Sequence, residues 1–147
     1  MERDGEIVPV EVEGAAGRYL ATPDVARRAR AVREGFEGRT TLLSPFDNLI
    51  HDRDRLLELF GYFYRIEIYT PVAKRKLGFW AMPVLHGDRI VGSVDPKLDR
   101  ESGILVVNRV VMRKDAPRSA APAIRRATEE LAEFVGATGV RWPRRAF

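Results

Sequence analysis

The chain has 147 residues, with 25 Lys and Arg against 21 Asp and Glu, two His, no Cys and no Gln, for a net charge of +4 at pH 7. About 150 residues is the size of a single domain that buries roughly two thirds of its unfolded surface, so a core needs no staples. Zero Cys excludes disulfides, thiolate zinc sites, iron–sulfur clusters and a Cys nucleophile, and points to a cytoplasmic setting. With 45% hydrophobic and 31% charged residues, the composition fits neither a disordered chain nor a membrane protein. There is no signal-peptide pattern and no apolar run of about 18 residues.

In chain order, Glu6 to Glu13 alternates apolar and polar residues, a strand pattern that Pro9 confines to an edge. Gly14 to Gly17 turns the chain and Arg18 to Ala21 reads as the partner strand. Thr22 or Asp24 caps a helix to about Arg33, with Pro23 suited to its first turn. A soft boundary at Glu37 to Arg39 leads to a short strand, Thr40 to Leu43, which Ser44-Pro45 ends. A helix from about Asp52 to Phe60 places Leu56, Leu59 and Phe60 on one face.

From Tyr62 the period becomes two. Tyr64, Ile66 and Ile68 alternate with Arg65, Glu67 and Tyr69, and Leu77 to His86 reads as a long strand. Gly87-Asp88 reads as a tight turn before a return over Arg89 to Asp95. After a turn at Asp99 to Gly103, Ile104 to Met112 is the most apolar strand. Short connections leave no room for crossovers, so these four runs predict an antiparallel meander. A last helix starts near Ser119, faces Ile124, Ala127, Leu131, Phe134 and Val135 inward, and ends at Gly136. The predicted class is α+β: a β meander or partial barrel with flanking helices, preceded by a β hairpin.

Phosphate-loop, dinucleotide-binding, zincin and nucleophile-elbow motifs are all absent. His51 sits at a helix start and His86 before a turn, so capping and turn roles explain both better than metal binding; no metal and no cofactor are expected. A Ser44, His51 and Asp47 triad has no support from spacing. The segment from Leu42 to Arg55 interleaves turn-forming and capping polar residues with Leu, Phe and Ile as core anchors. Asp47 and Asn48 there are the candidates for contact with a reacting group, set against a simple turn and cap role.

The cations are 21 Arg and four Lys, and their placement is uneven. Residues 1–15 hold five acids and one Arg, whereas residues 61–118 hold eleven bases and six acids. Lys74, Arg75 and Lys76 are consecutive in a connection, and Arg53, Arg55, Arg89, Lys97 and Arg100 share their face if the meander folds as drawn. Such a surface suits phosphate contacts, and Tyr62, Phe63, Tyr64, Tyr69, Phe79 and Trp80 are stacking or core residues. Arg bias alone also follows from a GC-rich coding sequence.

An ordered set of residues carries a resemblance. Leu43-Ser44-Pro45-Phe46-Asp47-Asn48-Leu49, Asp52-Arg53-x-Arg55, Leu59-Phe60, Tyr64-Arg65-x-Glu67-x-Tyr69-x-Pro71, Lys74-Arg75, Gly78, Pro83-Val84-Leu85-x-Gly87-Asp88-Arg89, Gly92 and Asp95 together resemble the winged-helix DNA glycosylases that repair interstrand crosslinks, the AlkZ/YcaQ group. The resemblance runs over most of residues 5–136, and it is to the C-terminal part of that family's pattern. It implies tandem winged-helix units followed by a β-rich domain, and metal-independent hydrolysis of the N-glycosidic bond of N7-alkylated purines. On that pattern residues 1–40 correspond to a winged-helix remnant and residues 41–147 to the β-rich C-terminal domain with its terminal helix.

The family's catalytic signature, Gln-x-Gln or Gln-x-Asp, cannot be present in a chain without Gln. The expectation is therefore a DNA-binding portion that does not cut alone, with Arg53, Arg55, Lys74, Arg75, Lys76 and Arg89 as double-stranded-DNA contacts. The alternatives are a glycosylase subunit working with a separate Gln-bearing winged-helix chain, and a protein-interaction module. The N-terminal strands also leave an edge open to a partner or to a second copy as a homodimer.

Overall fold

The computed structural model describes residues 5–32, 36 and 38–147, and the chain divides into two compact units, Met1–Glu37 and Gly38–Phe147. In the first, β1 (Val8–Val10) pairs antiparallel with β2 (Tyr19–Ala21), Val8 facing Ala21 and Val10 facing Tyr19. Both strands are edges, so Pro9 withholds no donor from a further neighbour. The paired stretch is shorter than the alternation over Glu6 to Glu13 suggests. Helix α1 (Pro23–Val32) begins at Pro23, and Asp24 pairs with Arg27 at 2.6 Å in its first turn. Its expected end near Arg33 lies outside the described residues.

The second unit is built on one five-stranded sheet in the order β3-β4-β5-β6-β7: Thr40–Leu42, Met82–His86, Arg89–Asp99, Ile104–Met112 and Gly139–Arg141. The first four strands are antiparallel; β7 runs parallel to β6, with Ile104 opposite Gly139 and Val106 opposite Arg141. The class α+β follows the sequence expectation, and so do the last three of the four expected meander runs; the first place in the antiparallel order is taken by β3. The parallel edge strand was not foreseen. Two bulges, at Val84/Leu85 and at Asp95/Pro96, bend the sheet and raise its twist.

Both faces of the sheet are covered, which is why β5 is buried without interruption from Ile90 to Pro96. On one face Val84, Val91, Val94 and Val107 pack against Ala120 and Ile124 of α4 (Ala120–Phe134). Buried Ala120, Ala123, Ile124, Ala127, Thr128 and Ala132 recur at helical spacing, and the run of small residues lets the helix lie close to the sheet. Phe134, expected to face inward, is 88% exposed, because the helix stops there and Gly136 at φ 73° turns the chain back toward β7.

On the other face Ile50, Leu56, Tyr62, Tyr64 and Ile90 form a second cluster, with Leu43, Phe60, Ile66, Leu77 and Leu85 packed around it. Its helices are α2 (Asn48–His51), unread in the sequence, and α3 (Arg53–Phe60). Asp52 caps α3 by accepting from the Arg55 amide at 3.0 Å, and Gly61 closes it in the left-handed region.

Residues 62–69 are not the strand that their alternation predicts, and 77–81 do not extend β4; both stretches are irregular. Burial explains the alternation without a ladder. Tyr62 and Tyr64 turn into the second cluster, 8% and 3% exposed, while Phe63 at 68% faces solvent. The Tyr64 hydroxyl donates to the Ala81 carbonyl at 2.7 Å, tying the two irregular stretches together. Burial, and then the nearby charges of Tyr62, Glu67 and Asp95, push its ionisation far up, so it is a neutral donor throughout the physiological range.

Candidate nucleic-acid interface

Two carboxylates organise the loop that carries the central basic run. Glu67 accepts from three successive amides, Lys76 at 2.9 Å, Leu77 at 2.7 Å and Gly78 at 3.1 Å. Asp95, only 4% exposed, accepts from the next two, Phe79 at 3.1 Å and Trp80 at 2.8 Å. Five consecutive backbone donors are thus satisfied by side chains instead of by a neighbouring strand. That is why the β4 pattern starts only at Met82.

Gly78 is required at the centre of this clamp. Its φ is 136°, and a Cβ there would stand 2.3 Å from Asp95 Oδ2. From the other side Arg109 donates to the carbonyls of Arg75 at 3.0 Å and Lys76 at 2.8 Å. Arg75 donates through Nε to the Thr70 carbonyl at 2.8 Å and lays its guanidinium over the Phe79 ring at 5.0 Å. The loop is therefore fixed by both its donors and its acceptors.

Partial desolvation opposes ionisation of Glu67, but the amides of Lys76, Leu77 and Gly78, with the Arg109 charge, outweigh it and hold its carboxyl below the usual 4.5. A lowered folded value means that the clamp contributes stability above about pH 4.5 and loses it as pH falls through the folded value. Acid titration of Trp80 emission in a Trp142→Phe background is expected to show loop release below about pH 4.5, shifted or abolished by Glu67→Gln. A profile identical in the two proteins would remove Glu67 from that role.

The sheet supplies the floor beside the loop. In β5 and β6, Asp95 faces Arg109 and Pro96 faces Val107, so Asn108 is the extra residue of a bulge. The bulge accommodates Pro96, which has no amide to donate, and re-aims its neighbours. Between floor and loop lies a cavity of about 690 Å³ lined by Arg75, Phe79, Trp80, Lys97, Asn108 and Arg109, among others. Phe46 meets Trp80 edge to face at 5.5 Å, joining the loop from Ser44 to Asn48 to the same wall.

The candidate residues read from sequence separate into groups. Asp47 caps α2, its Oδ1 accepting from the Leu49 amide at 2.8 Å, and exposed Asn48 gives its carbonyl to the Arg55 guanidinium. Arg55 and Arg75 are thus tied to main-chain carbonyls. Lys74, Lys76 and Arg53 are exposed, and no ion pair or side-chain hydrogen bond engages them among the described residues. Arg89 pairs with Asp115 at 3.4 Å. It lies at the far end of β5, six residues before Asp95 and so about 20 Å away at strand rise, apart from the Lys74 to Lys76 group.

Sequence reasoning missed Arg109, Asn108 and the clamping roles of Glu67 and Asp95. Of these, only Glu67 and Asp95 stood, with Gly78, among the residues that carry the resemblance. The two histidines stand apart from the cavity. His86 bridges Thr40 Oγ1 at 2.7 Å and Ser119 Oγ at 3.1 Å, while exposed His51 ends α2. Ser44 Oγ accepts from the Phe46 amide at 3.3 Å, in service of its own turn. No cluster of three His, Asp or Glu able to hold a metal ion occurs among the described residues, and no described helix is long and apolar enough to cross a membrane.

No solved structure matches this chain. A family profile described as "DNA glycosylase AlkZ-like" matches residues 1–134, nearly the whole length, and takes in α2, α3, the clamped loop, the cavity floor and α4. The chain belongs to the AlkZ-like DNA glycosylase family and is therefore a DNA-repair, glycosylase-like protein.

Proposed function

We propose that this chain is the DNA-binding C-terminal portion of a crosslink-repair-type glycosylase, and that these 147 residues bind duplex DNA without cutting glycosidic bonds alone. The observation that carries the reading is the clamped loop. Its carboxylates are turned inward onto backbone amides, while Lys74 and Lys76 stand exposed on the same loop and exposed Lys97 follows the bulge. Side chains of one sign on a rigid loop suit phosphate oxygens, which are read by charge and position alone. The absence of Gln supports the second half of the proposal, since the amide pair that the family uses to steady water and the cationic sugar has no counterpart here.

Titration with duplex DNA at several salt concentrations tests the first half. Affinity is expected to fall linearly on a log–log plot, and replacing Lys74, Lys76 and Lys97 with Ala is expected to flatten the slope by about two to three, close to one per lost phosphate contact. Salt-independent binding, or none, would overturn the reading. Release of N7-alkylguanine from DNA by the purified chain would overturn the non-catalytic half.

A further inference from the structure

We propose that the cavity beside the clamped loop receives one unpaired nucleotide of single-stranded or locally opened DNA, its base against Phe79 and Trp80 and its phosphate at Lys97 and Arg109. The inference deepens the DNA-binding reading and rests on it. A volume of about 690 Å³ lies within the range of about 300–1,000 Å³ in which proteins hold small-molecule-sized groups.

The lining combines aromatic faces with cations, the chemistry that a nucleotide needs. Phe79 is 49% exposed, yet its amide is held by a buried carboxylate and its ring by the Arg75 guanidinium. A rigid aromatic left open to solvent in this way contributes little to folding. It is preorganised to stack. Trp80, its amide fixed by Asp95 and its ring by Phe46, forms the adjoining wall.

Charge points the same way. Arg75, Lys97 and Arg109 line the cavity with one acid, Asp95, both of whose oxygens already accept from amides. An anion is favoured over a neutral aromatic ligand. Asn108, the exposed extra residue of the bulge, offers a donor and an acceptor on the lining, the pair needed to meet a base edge. In intact duplex both faces of every base are stacked on neighbours, so only an unpaired base can present a π-face to Phe79.

The test uses Trp142→Phe protein, in which Trp80 is the only tryptophan. Oligothymidylate is expected to shift or quench Trp80 emission. Phe79→Ala is expected to weaken that binding about tenfold while changing duplex affinity less than twofold, and Asn108→Ala to weaken the single strand selectively in the same direction. Both positions are exposed, and circular dichroism of each variant checks that the fold is kept.

The inference falls if duplex binds with the expected salt slope while oligothymidylate leaves Trp80 emission unmoved. It falls also if Phe79→Ala weakens both DNA forms equally, which would make the ring part of a general backbone-binding surface. Equal response to an oligoglutamate peptide would reassign the cavity to acidic protein segments. If neither DNA form binds, the DNA-binding reading fails with it.

Discussion

Replacing Asp95 with alanine is expected to lower the free energy of unfolding by about 2–4 kcal/mol, because the amides of Phe79 and Trp80 both lose the acceptor that the 4% exposed Asp95 supplies. Denaturant titration measures the loss. The same substitution is expected to free Phe79 and Trp80 from their fixed positions, so affinity for oligothymidylate should fall as well, although Asp95 carries charge of the wrong sign to touch phosphate. Asp95→Asn keeps one acceptor and should fall between wild type and Asp95→Ala. If Asp95→Ala unfolds at the wild-type denaturant concentration, the clamp is incidental. Gly78→Ala supplies an independent check, since its added Cβ would meet the Asp95 carboxylate, and in the Asp95→Ala background its cost should shrink without vanishing, because the Cβ that alanine keeps would still stand 2.5 Å away.

The second large effect is expected from Leu56→Ala, at about 2–5 kcal/mol, since Leu56 is fully buried in the cluster under α2 and α3 and its removal leaves a cavity. Residues 62–69 have no strand ladder, so their placement depends on this cluster and on the Tyr64 hydrogen bond. Hydrogen exchange is expected to rise through 62–81 in this variant before it rises in β5 and β6. Uniform loss of protection across the sheet would show instead that the cluster and sheet unfold as one unit.

Much of the fold was legible because short turns and strong alternation leave few choices. Gly87-Asp88 between two apolar runs, the apolar stretch Ile104 to Met112, and the helical spacing between Ser119 and Gly136 each predict their element from local chemistry. Tyr62 to Tyr69 misled for a physical reason. Period-two burial is the mark of a segment lying on a surface, and a strand is only one way to lie there. Here the partners of the next stretch are the carboxylates of Glu67 and Asp95, nine to sixteen residues distant in sequence, and periodicity does not register side-chain acceptors.

The site was legible in part. The run from Lys74 to Lys76 was visible as charge, and Phe79 and Trp80 as aromatics, but nothing local shows that Arg109 reaches the Arg75 and Lys76 carbonyls, or that Asn108 is the extra residue of a bulge. Both are long-range facts of register. Pro96 was a hint: a proline inside a long buried strand needs a place where no ladder amide is missed.

Strand β7 bears on what one edge of this sheet offers to another chain. Without it β6, nine residues long and mostly apolar, would be an exposed edge with its outer amides and carbonyls unpaired, the template on which chains add to one another. Three residues at Gly139–Arg141 occupy its first third, and the turn at Ala137 and Thr138 closes on Ala132 and Gly103 through two 2.8 Å hydrogen bonds. Just after it, Trp142 and Phe147 enclose Arg125 of α4, at 4.8 and 4.7 Å. This strand and its aromatic latch lie beyond the residues the family profile matches, so the cover over this part of the β6 edge comes from a segment outside the matched range.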